Sequence, residues 1–191
     1  MELMQQKFMT DDIFKMYYEL RDETDERAEL ILSYYRDDIT CAAKCSSCCI
    51  PISIFPVEFY AIKNELGIAS SADKAYPDAD TGAIVNKSDE NCFFLKNSLC
   101  TIYRSRPLIC RTQGLPLLYF SDDLQEYTIA VCGKNFTRQD NDFDFDTDYA
   151  IDLDRLNSSL FKLNTLFLNR KKQGNIPAGV ERIPVEFLSA F

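Results

Sequence analysis

Residues 41–49 read Cys41-Ala42-Ala43-Lys44-Cys45-Ser46-Ser47-Cys48-Cys49, and the other four cysteines follow as Cys92-x7-Cys100-x9-Cys110-x21-Cys132. The chain has 191 residues, eight cysteines and no histidine. Thiolates are soft donors that select zinc, copper(I) or iron-sulfur clusters, and a short loop carrying several of them lowers the entropy cost of assembling a site. The pattern therefore points to an all-thiolate metal centre. The missing histidines also remove cysteine-histidine nucleophile pairs and histidine acid-base catalysis.

Working outward, MELMQQKFMT carries no basic stretch followed by an apolar run, and no window is apolar enough to span a bilayer. No signal peptide and no membrane partner are expected, and the expected compartment is the cytoplasm. In reducing surroundings eight thiols serve metal binding or redox chemistry rather than disulfides. A net charge of -9 argues against nucleic acid, which needs a basic stripe to neutralise phosphates. The six glycines, at 67, 82, 114, 133, 174 and 179, form no phosphate or dinucleotide loop. With 46% hydrophobic residues the chain can bury one sizeable core. We expect a single domain over 1–191, with a cysteine-rich core at 41–132 and helical extensions at 9–37 and 148–172.

Ile13, Tyr17, Leu20, Thr24, Ala28, Ile31 and Tyr35 recur at helical spacing, with Thr10 as the expected N-cap and Asp11 and Asp12 in the first turn. Asp22, Glu23, Asp25, Glu26 and Glu29 read as its solvated face. Tyr149, Leu153, Leu156, Leu160, Leu163 and Phe167 mark a second helix, ended by Arg170, Lys171 and Lys172 with Gly174 and Pro177 beyond. Its natural mate is the first helix, and the alternative is a coiled-coil seam with a protein partner. Asp140, Asp142, Asp144, Asp146 and Asp148 alternate as in a calcium loop. Phe145 stands where that loop needs glycine and Ile151 where it needs glutamate, so calcium is excluded.

Between these helices, Ile50 to Phe55 predicts a short strand that Pro51 confines to an edge, followed by a helix near 56–66 from Pro56 to a stop at Gly67. Residues 70–91 predict an irregular excursion. Lys96-Asn97-Ser98 joins the arms of a hairpin over 92–103, and Ser121 to Glu126 joins Leu115–Phe120 to Tyr127–Val131, which would return Cys132 toward Cys110. The expected class is α+β, with helices at both ends, short antiparallel hairpins between them and a cysteine-built metal centre.

Cys45-x2-Cys48 has zinc-knuckle spacing, and Cys41-x3-Cys45-x2-Cys48 the spacing of radical S-adenosylmethionine enzymes. The radical context is missing: Ser47 replaces the usual aromatic, no glycine-rich strand follows, and too little chain remains for a barrel. Adjacent side chains in an extended stretch diverge, so Cys48 and Cys49 are not expected to be equal corners of one small site. Two four-thiolate zinc sites, a bridged pair of metals, or one four-iron cluster with spare thiols all remain open. Residues 92–111 hold Lys96, Arg104, Arg106 and Arg111 and no acid. Such cations suit a thiolate centre of formal charge about -2, and they can also pair with surface carboxylates or hold an anionic substrate. Tyr103 and Tyr127 are candidate proton donors or packing residues.

The cluster CAAKCSSCC, the segment CFFLKNSLCTIYRSRPLICR and the later Cys132 resemble the YkgJ-type CxxCxxCC domains, described as chelating zinc or iron, over roughly residues 41 to 132. The resemblance implies that Cys41, Cys45, Cys48, Cys49, Cys92, Cys100, Cys110 and Cys132 are the metal ligands. Tyr103, Arg106, Pro107 and Arg111 fall on its other motif positions, and Tyr103, Arg104, Arg106 and Arg111 are expected to line a [4Fe-4S] cluster or zinc. The chain departs from the pattern in a first gap of three residues and in Phe55, where the family tends to carry a capping Ser or Thr. The expected function is metal binding at an all-cysteine, redox-active centre, with an iron-sulfur cluster slightly ahead of zinc. The alternatives are a structural zinc module of an interaction protein, and a cluster-dependent protein-modifying enzyme like the flagellin lysine N-methylases that carry this domain.

Overall fold

The computed structural model describes residues 2–68, 91–140, 143–171 and 181–190. Helix α1 (Glu2–Tyr34) begins well before Thr10, so Thr10 does not cap it. Nothing in 2–9 breaks a helix, and Glu2, Leu3, Met4, Gln5, Gln6 and Lys7 are all good helix formers, so propensity carries the helix through the expected start. From residue 12 onward, α1 buries Ile13, Phe14, Tyr17, Thr24, Ala28 and Ile31 along one face.

After strand β1 (Ser53–Ile54), helix α2 (Pro56–Glu65) opens with proline, whose missing N–H costs nothing in a first turn. It closes on a Schellman turn: Gly67 has φ +66°, Gly67 N–H donates to Asn64 O (3.1 Å) and Ile68 N–H to Lys63 O (3.1 Å). Phe55 offers no capping oxygen, but Glu58 at the third helical position accepts from Phe55 N–H (3.3 Å). The predicted excursion at 70–91 falls outside the described residues except for Asn91.

Strands β2 (Leu95–Lys96) and β3 (Leu99–Cys100) form the first hairpin, turned by Asn97 and Ser98, both at positive φ. Two such residues make the tight turn whose twist matches paired strands. Helix α3 (Leu108–Thr112) follows. Strands β4 (Leu117–Ser121) and β5 (Glu126–Ala130) form the second hairpin, and β6 (Ile151–Asp152) adds to β4 in parallel.

That parallel strand corrects the expected start of the last helix. Ile151 N–H donates to Pro116 O (2.9 Å), Asp152 accepts from Arg155 N–H (2.9 Å) as a cap, and α4 runs from Leu153 to Lys171. Tyr149 belongs instead to a 3-10 turn (Thr147–Tyr149), stacked on Tyr34 with ring centroids 3.6 Å apart. Lys172, Gly174 and Pro177 lie outside the described residues. A final strand β7 (Ile183–Pro184) pairs antiparallel with β1 and leads into a 3-10 helix (Val185–Ala190).

Three apolar clusters join these elements. Leu160, Leu163 and Phe167 of α4 pack on Ile13, Phe14 and Tyr17 of α1, with Val57 and Ala61 of α2 and Leu108 of α3, so the two long helices are indeed mates. Ile54, Phe59 and Ile62 meet Phe94 and the C-terminal Ile183, Val185 and Leu188. Ala28, Ile31 and Tyr35 meet Leu115, Phe136 and Ile151. The result is an α+β fold whose helices form a platform beside the cysteine loops. No described helix is long and apolar enough to cross a membrane.

Candidate metal centre

Beyond α1 the chain enters a segment with neither helix nor strand over 39–52, where tight turns bring Cys45 N–H to Ala42 O (3.0 Å) and Cys49 N–H to Ser46 O (3.0 Å). The start of this loop is stitched to the turn after β5. Asn135, 3% exposed, accepts from Thr40 N–H (2.9 Å) and donates its amide N–H to Gly114 O (2.6 Å) and toward Cys41 Sγ (3.4 Å). The backbone N–H of Asn135 donates to Cys132 O (2.9 Å), Thr40 Oγ1 to Lys134 O (2.9 Å), and Lys134 Nζ to Ser47 Oγ. Gly114 has φ +88°, and a Cβ there would stand 2.6 Å from Cys41 Sγ. Cys132 therefore arrives beside Cys41, correcting the expectation that the second hairpin returns it to Cys110. The hairpin forms as expected, but the turn beyond β5 carries the chain on to the cysteine loop.

The end of the loop is held elsewhere. Cys92 N–H donates to Cys49 O (2.9 Å), and Leu95 N–H to Cys92 O (3.0 Å). Leu95 faces Cys100 across the first hairpin, and both Cys92 and Cys100 pack against the cluster closed by Ile183 and Leu188. Cys110 rides on α3, a helix too short to persist without its ends being held. Glu58 holds one of them: its Oε1 accepts from Leu108 N–H (3.1 Å) while Oε2 accepts from Phe55 N–H, so one buried carboxyl caps α2 and α3 together. Burial raises the Glu58 pKa, and those two N–H donors pull it partly back.

All eight thiols are free. Burial is the largest cause raising the pKa values of Cys41 and Cys92, and it pushes Cys49 up to about 11 and Cys110 up to about 12. Neighbouring thiols add to the shift: Cys45, Cys132 and Cys48 act on Cys41; Cys48, Cys100 and Cys92 on Cys49; Cys92, Cys100 and Cys49 on Cys110. The fold thus brings segments carrying thiols as far apart as Cys41 and Cys132 to one loop. Among the described residues, no group of three or more Cys, Asp or Glu side chains is arranged to hold a metal ion as it stands. Binding a metal ion would displace the thiol protons, so a metal would favour a closer approach of these side chains than the protonated thiols make. The donor set fits a thiophilic ion: it is all sulfur, an amide N–H points at one sulfur, and a missing Cβ leaves that sulfur its room.

The cations of 92–111 have varied settings. Arg111 is buried and donates to Asp25 Oδ2 of α1, to Arg106 O (2.9 Å) and to Arg104 O, tying the first helix to the turn before α3. Arg106 lies over the Tyr103 ring (3.9 Å) and Lys96 over Phe93 (4.9 Å). Arg104 and Tyr103 are exposed at the same turn, whereas Tyr127 is exposed on β5 against Phe120. Asn135, Gly114 and Glu58 escaped the sequence reading. Glu58 had a usable signal, an acid two places after Pro56 where a helix needs a cap. Asn135 and Gly114 had none, because their roles rest on contacts 94 and 73 residues away from Cys41 in the chain.

A mixed α+β fold carrying eight free cysteines defines the class: a cysteine-rich domain. Residues 40–133 match the model of the CxxCxxCC family, described as "Putative zinc- or iron-chelating domain". Comparison with curated proteins and with solved structures found no match.

Proposed function

We propose that the eight cysteines are metal ligands, that the metal is iron in a cluster ahead of zinc, and that the centre is redox active. The observation that carries this reading is that residues 41–49 meet both later cysteine segments, the Cys132 turn through Asn135 and Cys92 through Cys49 O, in a chain without histidine. Eight ligands exceed the four that one structural zinc requires, and the cations of 92–111 suit an anionic sulfur cluster. A cluster would supply one-electron transfer. The surrounding chain would orient its ligands through Asn135, Gly114 and Glu58, with Arg104, Arg106 and Tyr103 on the adjoining surface. Free thiols fit a reducing compartment, and we assign the protein to the cytoplasm.

Structural zinc is the second reading. It is favoured by the lack of helix or strand over 39–52, a segment that a metal would cross-link whatever its other role. Anaerobic purification followed by visible absorption and by iron, zinc and sulfide analysis separates the two. A brown protein with iron and acid-labile sulfide supports the cluster, and a colourless one with stoichiometric zinc and no sulfide refutes it.

A further inference from the structure

The sequence leaves open how eight thiols divide, and the contacts around them supply an answer. We propose that the domain holds two separate tetrathiolate sites, Cys41/Cys45/Cys48/Cys132 and Cys49/Cys92/Cys100/Cys110, divided at the peptide bond between Cys48 and Cys49. The proposal rests on the reading above that the thiols hold metal, and adds the number of sites and the ligands of each.

Two independent sets of contacts carry the division. On one side, Asn135 joins Cys41 to the Cys132 turn, and Lys134 reaches Ser47, next to Cys48. On the other, Cys49 O accepts from Cys92 N–H, Cys100 sits on the same hairpin, and both hairpin cysteines pack on one apolar cluster. Cys110, on α3, whose start is fixed by Glu58, is the remaining thiol and completes the second set of four.

The test is cobalt(II) titration of the metal-free full-length protein under anaerobic conditions, with absorption and X-ray absorption at the cobalt edge. The expected result is two cobalt ions per chain, each with four sulfur neighbours and no short cobalt–cobalt distance. Cys48→Ser and Cys49→Ser should each halve the tightly bound cobalt and leave the remaining ion with four sulfurs. Cys132→Ser should match the first variant and Cys110→Ser the second. Double variants within a set should still bind one ion, and a double variant across the sets none. A single ion per chain, a cobalt–cobalt bridge, or loss of both ions in one single variant would overturn the division while leaving metal binding intact. Failure of the wild type to bind cobalt through sulfur would overturn the underlying reading as well. The wild-type stoichiometry and sulfur count need no variant to fold.

Discussion

Replacing Gly114 with alanine imposes two separable penalties. The first is backbone strain, because φ is +88° and an L-residue in the left-handed region costs roughly 1–2 kcal/mol. The second is steric: the new Cβ would lie 2.6 Å from Cys41 Sγ, and ordinary contact begins at 3.4 Å, so about 0.8 Å of movement is required. Without metal, Cys41 can swing aside at little cost. With metal bound it cannot, since metal–sulfur distances tolerate only about 0.2 Å. Gly67 provides the control, having φ +66° and nothing within 4 Å of where an added Cβ would lie. In chelator both Gly67→Ala and Gly114→Ala should lower Tm by similar amounts, roughly 2–8 °C for a chain of this size. In the metal-loaded protein Gly114→Ala should fall further and lose at least tenfold in metal affinity, about 1.4 kcal/mol, as for other changes beside a ligand. Thermal melts with and without chelator, together with metal content, check this. Equal losses for the two variants in the loaded protein, with metal retained, would refute the reasoning.

Asn135→Ala leaves Thr40 N–H and Gly114 O without their partner and should cost about 2–3 kcal/mol in denaturant unfolding, with reduced metal content. Glu58 yields a pH signature. Its raised pKa means that, between the ordinary carboxylate pKa and the raised one, the folded chain keeps a proton that the unfolded chain releases, so this contribution to stability is lost as pH rises. Wild-type stability should therefore gain on Glu58→Gln as pH is lowered through that window; a pH-independent difference in urea unfolding would show that Glu58 is not the group responsible. Arg111→Lys should destabilise by roughly 2–4 kcal/mol, because a single ammonium cannot replace a fork that serves Asp25 and two carbonyls; denaturation midpoints unchanged from wild type would refute that tie.

Features that announce themselves locally were legible. Pro56 and Gly67 punctuate α2, Asn97 and Ser98 turn the first hairpin, and the Leu160–Leu163–Phe167 face finds α1 as expected. Features decided by distant partners were not. Strands β1 and β7 have two residues each, too few to carry a period, and their pairing spans some 130 positions. Tyr149 kept the helical spacing of its neighbours yet lies outside α4, because pairing of Ile151 with β4 delays the helix. The cysteines stood out in the sequence as candidate donors from their chemistry. Their grouping did not, because Asn135 and Gly114, which bring residues 41 and 132 together, resemble ordinary loop residues until the chain is folded.

The apolar cover over Cys92 and Cys100 comes from Ile183, Val185 and Leu188, about 50 residues after the last cysteine. During synthesis all eight thiols leave the ribosome before that cover exists. At typical elongation rates the interval is roughly 3–10 s. Throughout it Cys92 and Cys100 lack the apolar cover that half-buries them in the folded chain. The order of elements along the chain thus makes the C-terminal segment the last step in shielding those two thiols from oxidants.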